Sequence, residues 1–139
     1  MRAVADNNVV FSGTFWSGPS GKILRAARSQ AIELVTTTAL LAELLETLSK
    51  PRLRPILEAQ SKTAEAWVLE FLAIAVLVQP VRVTEPKLRD PDDVIVLEAA
   101  VGGQAEYIIT GDRDLLSLGS HAGIEIVTPA AFVLLADLQ

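Results

Sequence analysis

The stretch Arg89-Asp90-Pro91-Asp92-Asp93, followed by the apolar segment from Val94 to Val101, decides how the rest of this sequence is interpreted. Three carboxylates lie within four residues, immediately before a predicted helix. Because like charges repel, such a group costs free energy unless something positive neutralises it. Aspartate is also a preferred helix N-cap, and acids are favourable near a helix N-terminus. The stretch alone is therefore typical either of a solvated helix cap or of a metal site, and the positions of the other acids must distinguish the two.

Strand-like and helix-like segments alternate on both sides of this stretch. The predicted strands are Arg2 to Ala5, Ile32 to Thr36, Val78 to Thr84, Tyr107 to Thr110 and Ile124 to Thr128. The predicted helices are one that begins at Ser20 or Gly21, then Ala39 to Ser49, Pro51 to Gln60, Thr63 to Val76, Val94 to Val101, Leu115 to Leu118 and Pro129 to Leu135. Pro80 places the third strand near a sheet edge, and Ser12-Gly13 and residues 17–21 predict loops. The alternation predicts an α/β fold with a mostly parallel sheet and helices on both faces.

Length and composition narrow the class of protein. With 139 residues and no internal repeat or linker, the chain is expected to form a single domain over residues 1–139. Half of the residues are hydrophobic, yet no apolar run reaches the roughly 18 residues that a membrane span needs. Residues 1–6 lack the pattern of a secretory signal, which predicts a cytoplasmic protein. There is no cysteine and one histidine, so a metal would have to be held by oxygen ligands, which favours Mg²⁺ or Mn²⁺ over zinc.

The net charge of −5 argues against a protein that coats nucleic acid, but it is compatible with a site rich in carboxylates. The basic residues are grouped. Lys22, Arg25 and Arg28 are three residues apart on a predicted helix and therefore share one face. A second group contains Lys50, Arg52, Arg54 and Lys62. Each group is either an ordinary solvated face or a surface that binds phosphates.

The other acids fall where strands end. Asp6 follows the first predicted strand, and Asp112 and Asp114 follow the strand from Tyr107 to Thr110. Ligands of open α/β sheets bind at the carboxyl ends of the strands, and the stretch from Asp90 to Asp93 precedes a helix that is expected to begin at the same edge. Three separate segments therefore bring carboxylates to one edge of the sheet.

Further polar residues are candidates for the same edge. Glu43 flanks the leucine stripe of the helix from Ala39 to Ser49, on the side that can turn towards it. Asn8, Ser12 and Thr110 lie near the acids, either to orient water molecules or as ordinary turn residues. Carboxylates held close together are stabilised by a divalent cation, which activates water for phosphodiester hydrolysis.

Four segments occur in an order and at spacings that match a known family. They are Asp6-Asn7-Asn8-Val9-Val10, Leu41-Ala42-Glu43-Leu44, Asp90-Pro91-Asp92-Asp93 with Val96-Leu97-Glu98-Ala99-Ala100, and Tyr107-Ile108-Ile109-Thr110-Gly111-Asp112. Together they resemble the PIN domain, in particular the bacterial VapC-like toxins of type II toxin–antitoxin modules. The resemblance extends from Arg2 to about Phe132.

The resemblance implies a three-layer α/β/α sandwich and a pocket of acids that binds Mg²⁺ or Mn²⁺. It implies metal-dependent cleavage of RNA, inhibited by a cognate antitoxin. The four acids of the family fall on Asp6, Glu43, Asp93 and Asp112 of this chain. Asn8 falls on the polar partner of the first acid, Thr110 precedes the Gly-Asp turn, and Asp114 is a candidate outer ligand.

Two positions depart from the family's pattern. Asn7 stands where the family commonly has threonine, a polar-for-polar change that is compatible with metal binding. Val94 stands where relatives often carry Asp or Asn, so a register shifted by one residue would remove the third metal ligand. We favour Asp93 as that ligand, because Pro91 and the run Val96-Leu97-Glu98 then align without a gap.

Two other functions remain open from the sequence. One is a phosphohydrolase with Asp6 as its nucleophile, although Asn8 stands where a second acid is usual and Lys87 is the only lysine after Lys62. The other is a non-catalytic PIN-like protein that binds RNA or a partner. The apolar surplus between Pro51 and Val76 favours a homodimer face or an antitoxin groove. Trp16 is a candidate for stacking on a base or for anchoring its own loop.

Overall fold

Six short strands form one sheet in the computed structural model, which describes all residues from 1 to 139. The strands are β1 (Arg2–Ala5), β2 (Glu33–Thr36), β3 (Ala75–Leu77), β4 (Tyr107–Ile109), β5 (Ser120–His121) and β6 (Ile124–Val127). Their order across the sheet is β3-β2-β1-β4-β6-β5. All neighbouring pairs are parallel except β5 and β6, which are antiparallel. The mostly parallel α/β sheet predicted from the sequence is confirmed.

Eight α-helices connect and cover the strands. They are α1 (Asn7–Phe15), α2 (Pro19–Arg28), α3 (Thr38–Leu48), α4 (Arg54–Ala59), α5 (Ala64–Ile74), α6 (Pro91–Gly102), α7 (Arg113–Leu118) and α8 (Pro129–Leu135), with a 3₁₀ turn at Pro51–Leu53. None of these helices has the length and apolar character that crossing a bilayer requires.

The sheet separates two hydrophobic cores, because successive side chains of a strand point to opposite faces. In β1, Ala3 and Ala5 belong to one core and Val4 belongs to the other. The first core packs against α1, α2, α3, α5 and α8, and the second packs against α6 and α7. The architecture is therefore three layers, with helices on both faces of the sheet.

Four helices begin where a parallel strand ends. The N-cap side chains of these helices are Asp6 for α1, Thr37 for α3, Asp112 for α7 and Thr128 for α8, and each accepts a backbone N–H of its helix. Because β1, β2, β4 and β6 are parallel, these helix N-termini lie at the same edge of the sheet. This edge is the one at which the sequence predicted the acids to meet.

Several local predictions are wrong for physical reasons. Ser12 and Gly13 lie inside α1 and not in a loop, since Asp6 caps a helix directly after β1. A Cβ at Gly13 would lie 2.6 Å from the carbonyl oxygen of Ser20, so this glycine permits close packing of α1 against α2. The predicted strand from Val78 to Thr84 is an irregular connection, and the third strand is Ala75–Leu77 instead. The two-residue strand β5 was not predicted at all.

Candidate metal centre

Three aspartates bring carboxylate oxygens within 4.8 Å of one another: Asp93, Asp112 and Asp114. We call this group the three-acid cluster. Asp93 lies in the first turn of α6, Asp112 caps α7, and Asp114 lies in the first turn of α7. Asp112 accepts the backbone N–H groups of Asp114 and Leu115 at 2.9 and 3.0 Å. Helix N-termini carry partial positive charge, which offsets part of the repulsion among these carboxylates.

Asp6 is buried beside this cluster and is held by hydrogen bonds on both of its oxygens. Its Oδ1 accepts the backbone N–H of Val9 at 2.9 Å, and its Oδ2 accepts the hydroxyl of Thr110. The same Thr110 hydroxyl oxygen accepts the backbone N–H of Asp112 at 2.9 Å. Thr110, which is fully buried, therefore connects the first predicted acid to the loop that carries the fourth.

Glu43 lies on α3 and is held by a different partner. Its Oε1 accepts the side-chain amide of Asn7 at 3.3 Å, and that amide also donates to the Leu40 carbonyl oxygen at 2.9 Å. Its Oε2 is buried and has no hydrogen-bond partner. An unpartnered buried carboxylate oxygen is costly in a folded protein, and a cation would satisfy it.

The pKa values of three of these acids are raised by burial and by their neighbours. Burial raises the pKa of Asp6, and the charge of Asp112 adds to this rise. Burial and then the charge of Asp92 raise the pKa of Glu43. Burial and then the charge of Asp112 raise the pKa of Asp93 to about 6. The electrostatics favour a bound cation, because that would relieve both the desolvation and the repulsion.

The donor set fits a hard divalent ion. Every donor is a carboxylate, with hydroxyl and amide groups beside it, and oxygen ligands of this kind suit Mg²⁺ or Mn²⁺. None of the ion pairs of the protein involves these acids, so no basic side chain neutralises them. The first turn of α6 contributes one residue to each of two groups of acids. Asp93 belongs to the three-acid cluster, and Asp92 lines a cleft with Glu43.

The other residues predicted for the site are distributed around it. Asn8 lines an open cleft of about 520 Å³ with Asp112 and Asp114. Ser12 lies one turn further along α1, and its hydroxyl makes no hydrogen bond with the acids. Lys22, Arg25 and Arg28 lie on α2. Arg25 and Arg28 line a separate cavity that contains none of the acids.

Sequence reasoning missed several residues of this region. Asn7 was treated only as a departure from the family's pattern, although a buried polar residue beside two buried valines indicates a specific partner. Asp92 was not among the predicted site residues; Asp90 provides the N-cap of α6, and Asp92 lines the cleft with Glu43. Arg113, which was also missed, lines the cleft that contains Asp112, and Lys50 of the second predicted basic group lines the cleft that contains Glu43 and Asp92.

Comparisons with known proteins agree with this architecture. A family model described as PIN domain matches residues 2–114. The structure is similar to a chain in a crystal structure of VapBC2 from Rickettsia felis bound to a DNA fragment from their promoter, with a TM-score of 0.60 and 11% sequence identity. That alignment covers 92% of this chain and 98% of the other, and it shows a shared fold. A search of curated proteins found no match.

Proposed function

The chain belongs to the PIN domain family, and from this we propose that it is a metal-dependent endoribonuclease that hydrolyses phosphodiester bonds in RNA. We further propose that it is the toxin of a type II toxin–antitoxin module, as its VapC-like sequence motifs imply. The observation that carries the proposal is the three-acid cluster at the carboxyl edge of the sheet. It lies beside Asp6 and contains two of the four acids that match the family's motif.

The residues that would hold Mg²⁺ or Mn²⁺ are Asp6, Glu43, Asp93 and Asp112, with Asp114 as an additional ligand. A divalent ion bound there would lower the pKa of a water molecule and offset charge on a phosphoryl oxygen. Thr110 fixes the rotamer of Asp6 by donating its hydroxyl hydrogen to that carboxylate. Asn8 lines the same cleft as Asp112 and Asp114, and its amide is proposed to orient a water or a phosphate oxygen.

The proposal includes partners as well as a substrate. Basic residues of α2, namely Lys22, Arg25 and Arg28, are proposed to bind the RNA backbone. A cognate antitoxin and a second copy of this chain are proposed as protein partners. Large apolar side chains remain exposed on α5, β3 and α8, and these are Leu69, Leu77, Leu134 and Leu135. Exposed apolar groups of this size are typical of protein interfaces. We expect the protein to act in the cytoplasm, where its RNA substrate and antitoxin are.

The experiment that tests the proposal compares RNA cleavage by the wild type with that by Asp6→Asn and Asp93→Asn. Cleavage is measured with Mg²⁺, with Mn²⁺ and with a chelator. Both variants are expected to lose metal-stimulated cleavage, because each removes a charged ligand. Glu125→Gln is the matched control, since it removes one negative charge from an exposed residue of β6 that is outside the site.

The alternatives predict different results in the same experiment. Unchanged cleavage in both aspartate variants would refute the assignment of the site. Binding of RNA by the wild type without cleavage under either metal would indicate a non-catalytic PIN domain. Hydrolysis of phosphomonoesters in place of RNA would indicate an aspartate-based phosphohydrolase.

A further inference from the structure

Three cavities follow α1 from the acids to the other end of the helix, and neighbouring cavities share a residue. The first is the cleft lined by Asn8, Asp112, Asp114 and Arg113. The second, of about 340 Å³, is lined by Asn8, Phe11, Trp16 and Arg52 among others. The third, also about 340 Å³, is lined by Trp16, Arg25, Arg28 and Trp67 among others. Because Asn8 lines the first two cavities and Trp16 lines the last two, we call this row of three cavities the α1 path.

Arginines without ion-pair partners occur along the whole α1 path. They are Arg113 in the first cavity, Arg52 in the second, and Arg25 and Arg28 in the third. None of them takes part in an ion pair of the protein. The one acid in the second and third cavities is Glu70, which Lys62 neutralises at 2.6 Å. Away from the acids the path is therefore positive, although the whole protein carries a net charge of −5.

Aromatic side chains occupy the middle of the path. Trp16 is 54% exposed, and its ring lies 5.3 Å from that of Phe11 between centroids. Trp67 lines the third cavity, and its ring centroid lies 5.0 Å from that of Phe15. The indole N–H of Trp67 is buried and has no acceptor within the protein. Trp67 therefore forms part of the cavity wall, whereas the exposed ring of Trp16 is the one that is open to a ligand.

We propose that the α1 path binds single-stranded RNA, with a base stacked on Trp16 and phosphates held by Arg52, Arg25 and Arg28. Successive bases that stack on aromatic rings beside a positive groove are the usual means of binding single strands. Paired RNA does not offer its bases in this way, because they are stacked inside the duplex. The inference rests on the proposed nuclease function, and it adds the form of the substrate and the direction in which it enters.

The dimensions and charge of the path support this occupant. The nine residues of α1 span about 13 Å at 1.5 Å per residue, so Trp16 binds the RNA at a distance from the acids. RNA bound there leads towards Asp112 and Asp114 through the shared residue Asn8. The four unpaired arginines favour a polyanion over an apolar helix of a protein partner, which would leave them buried without counter-charges.

The test measures binding of a labelled single-stranded oligoribonucleotide in the presence of a chelator, so that cleavage does not contribute. Trp16→Ala is expected to weaken binding by about fivefold to a hundredfold, the range for losing one stacked base. Each of Arg25→Ala and Arg52→Ala is expected to lower the slope of log affinity against log salt by about one. Arg82→Ala is the matched control, since Arg82 is exposed, unpaired and outside the path.

Two further measurements separate stacking from a general structural effect. Trp16→Tyr is expected to restore most of the binding that Trp16→Ala loses, because a smaller aromatic face still stacks. The protein has two tryptophans, so Trp67→Phe leaves Trp16 as the only indole, and its fluorescence is expected to be quenched when single-stranded RNA binds.

The inference is overturned if Trp16→Ala and the arginine variants bind single strands as tightly as the wild type, or if duplex RNA binds equally well. It is also overturned if these variants weaken only the association with a protein partner. Failure of the nuclease function is distinguishable from this result. Wild type that binds through Trp16 yet cleaves nothing under Mg²⁺ or Mn²⁺ refutes the nuclease and supports the path.

Discussion

Replacing Asp93 by asparagine is expected to stabilise the metal-free protein at neutral pH, although it removes a proposed metal ligand. Asp93 is only 8% exposed and lies in the three-acid cluster. Its pKa is about 6 in the folded protein against 3.8 for a free aspartate. At about 1.4 kcal/mol per pKa unit, holding this carboxylate ionised in the folded state costs about 3 kcal/mol. The neutral amide avoids this cost.

The direction of the expected change in stability follows from the pKa shift of Asp93 and depends on pH. Because the pKa of Asp93 is raised by folding, protonation favours the folded state, and the stability that Asp93 contributes is lost as the pH rises through about 6. The advantage of asparagine is therefore largest above pH 6, falls to roughly half near pH 5, and vanishes below about pH 3, where the unfolded aspartate is protonated as well. For a chain of this length, 3 kcal/mol corresponds to a rise in Tm of about 10 °C.

The assay is urea or thermal unfolding in a chelator at several pH values, followed by the same measurement with Mn²⁺. Wild type is expected to gain about 2.7 kcal/mol when the metal is present at a hundred times its Kd, whereas Asp93→Asn is expected to gain much less. Glu125→Gln controls for the overall change in net charge. Destabilisation of the chelated Asp93→Asn variant at pH 7.5, or a stability difference that does not vary with pH, would refute the reasoning.

Two other substitutions test the support of the site and of the fold. Thr110→Val is expected to destabilise the protein by about 1–3 kcal/mol, because Asp6 loses a donor and the N–H of Asp112 loses its acceptor. Urea unfolding measures this change in the free energy of unfolding. Thr84→Val, at an exposed position, is the control and is expected to change it little. Gly102→Ala is expected to destabilise by about 1–3 kcal/mol or more, because its Cβ would lie 2.0 Å from the Gln79 carbonyl oxygen. Gly111→Ala, whose Cβ meets nothing within 4 Å, is the control in thermal unfolding, and equal melting temperatures would contradict the packing argument.

Most strands were predicted correctly from the sequence, because the polar N-cap residue of the following helix marks where each of them ends. β1 and α8 have the bounds that the sequence predicted, and β4 and β6 are each one residue shorter. The segment from Val78 to Thr84 misled the prediction because its alternating valines favour a strand. In the structure, the backbone N–H groups of Val81 and Val83 bond instead to the main-chain oxygen and the carboxylate of Glu98 on α6. Only the tertiary packing against α6 determines this outcome.

The predicted convergence of acids at one edge followed from topology, but the grouping within that edge did not. Successive residues of a helix point about 100° apart, so Asp92 and Asp93 contact different groups of acids. Asp93 lies with Asp112 and Asp114, while Asp92 acts on Glu43. Val94 packs against the hydrophobic core on that face of the sheet. The structure thus brings Asp93, and not position 94, beside Asp112. The sequence alone could not decide between these two positions, because the choice depends on how α6 packs against β4.

The surroundings of Glu43 explain why asparagine, and not the family's usual threonine, occupies position 7. Asp93 and Asp112 lie at helix N-termini, where partial positive charge supports a carboxylate, but Glu43 lies within α3 and has no such support. Asn7 supplies a neutral donor to Glu43 and satisfies the Leu40 carbonyl oxygen with the same amide nitrogen. A threonine has one hydroxyl hydrogen and cannot donate to both acceptors at once. Asparagine at this position therefore orients Glu43 without neutralising it, and this leaves the carboxylate charge available to a divalent ion.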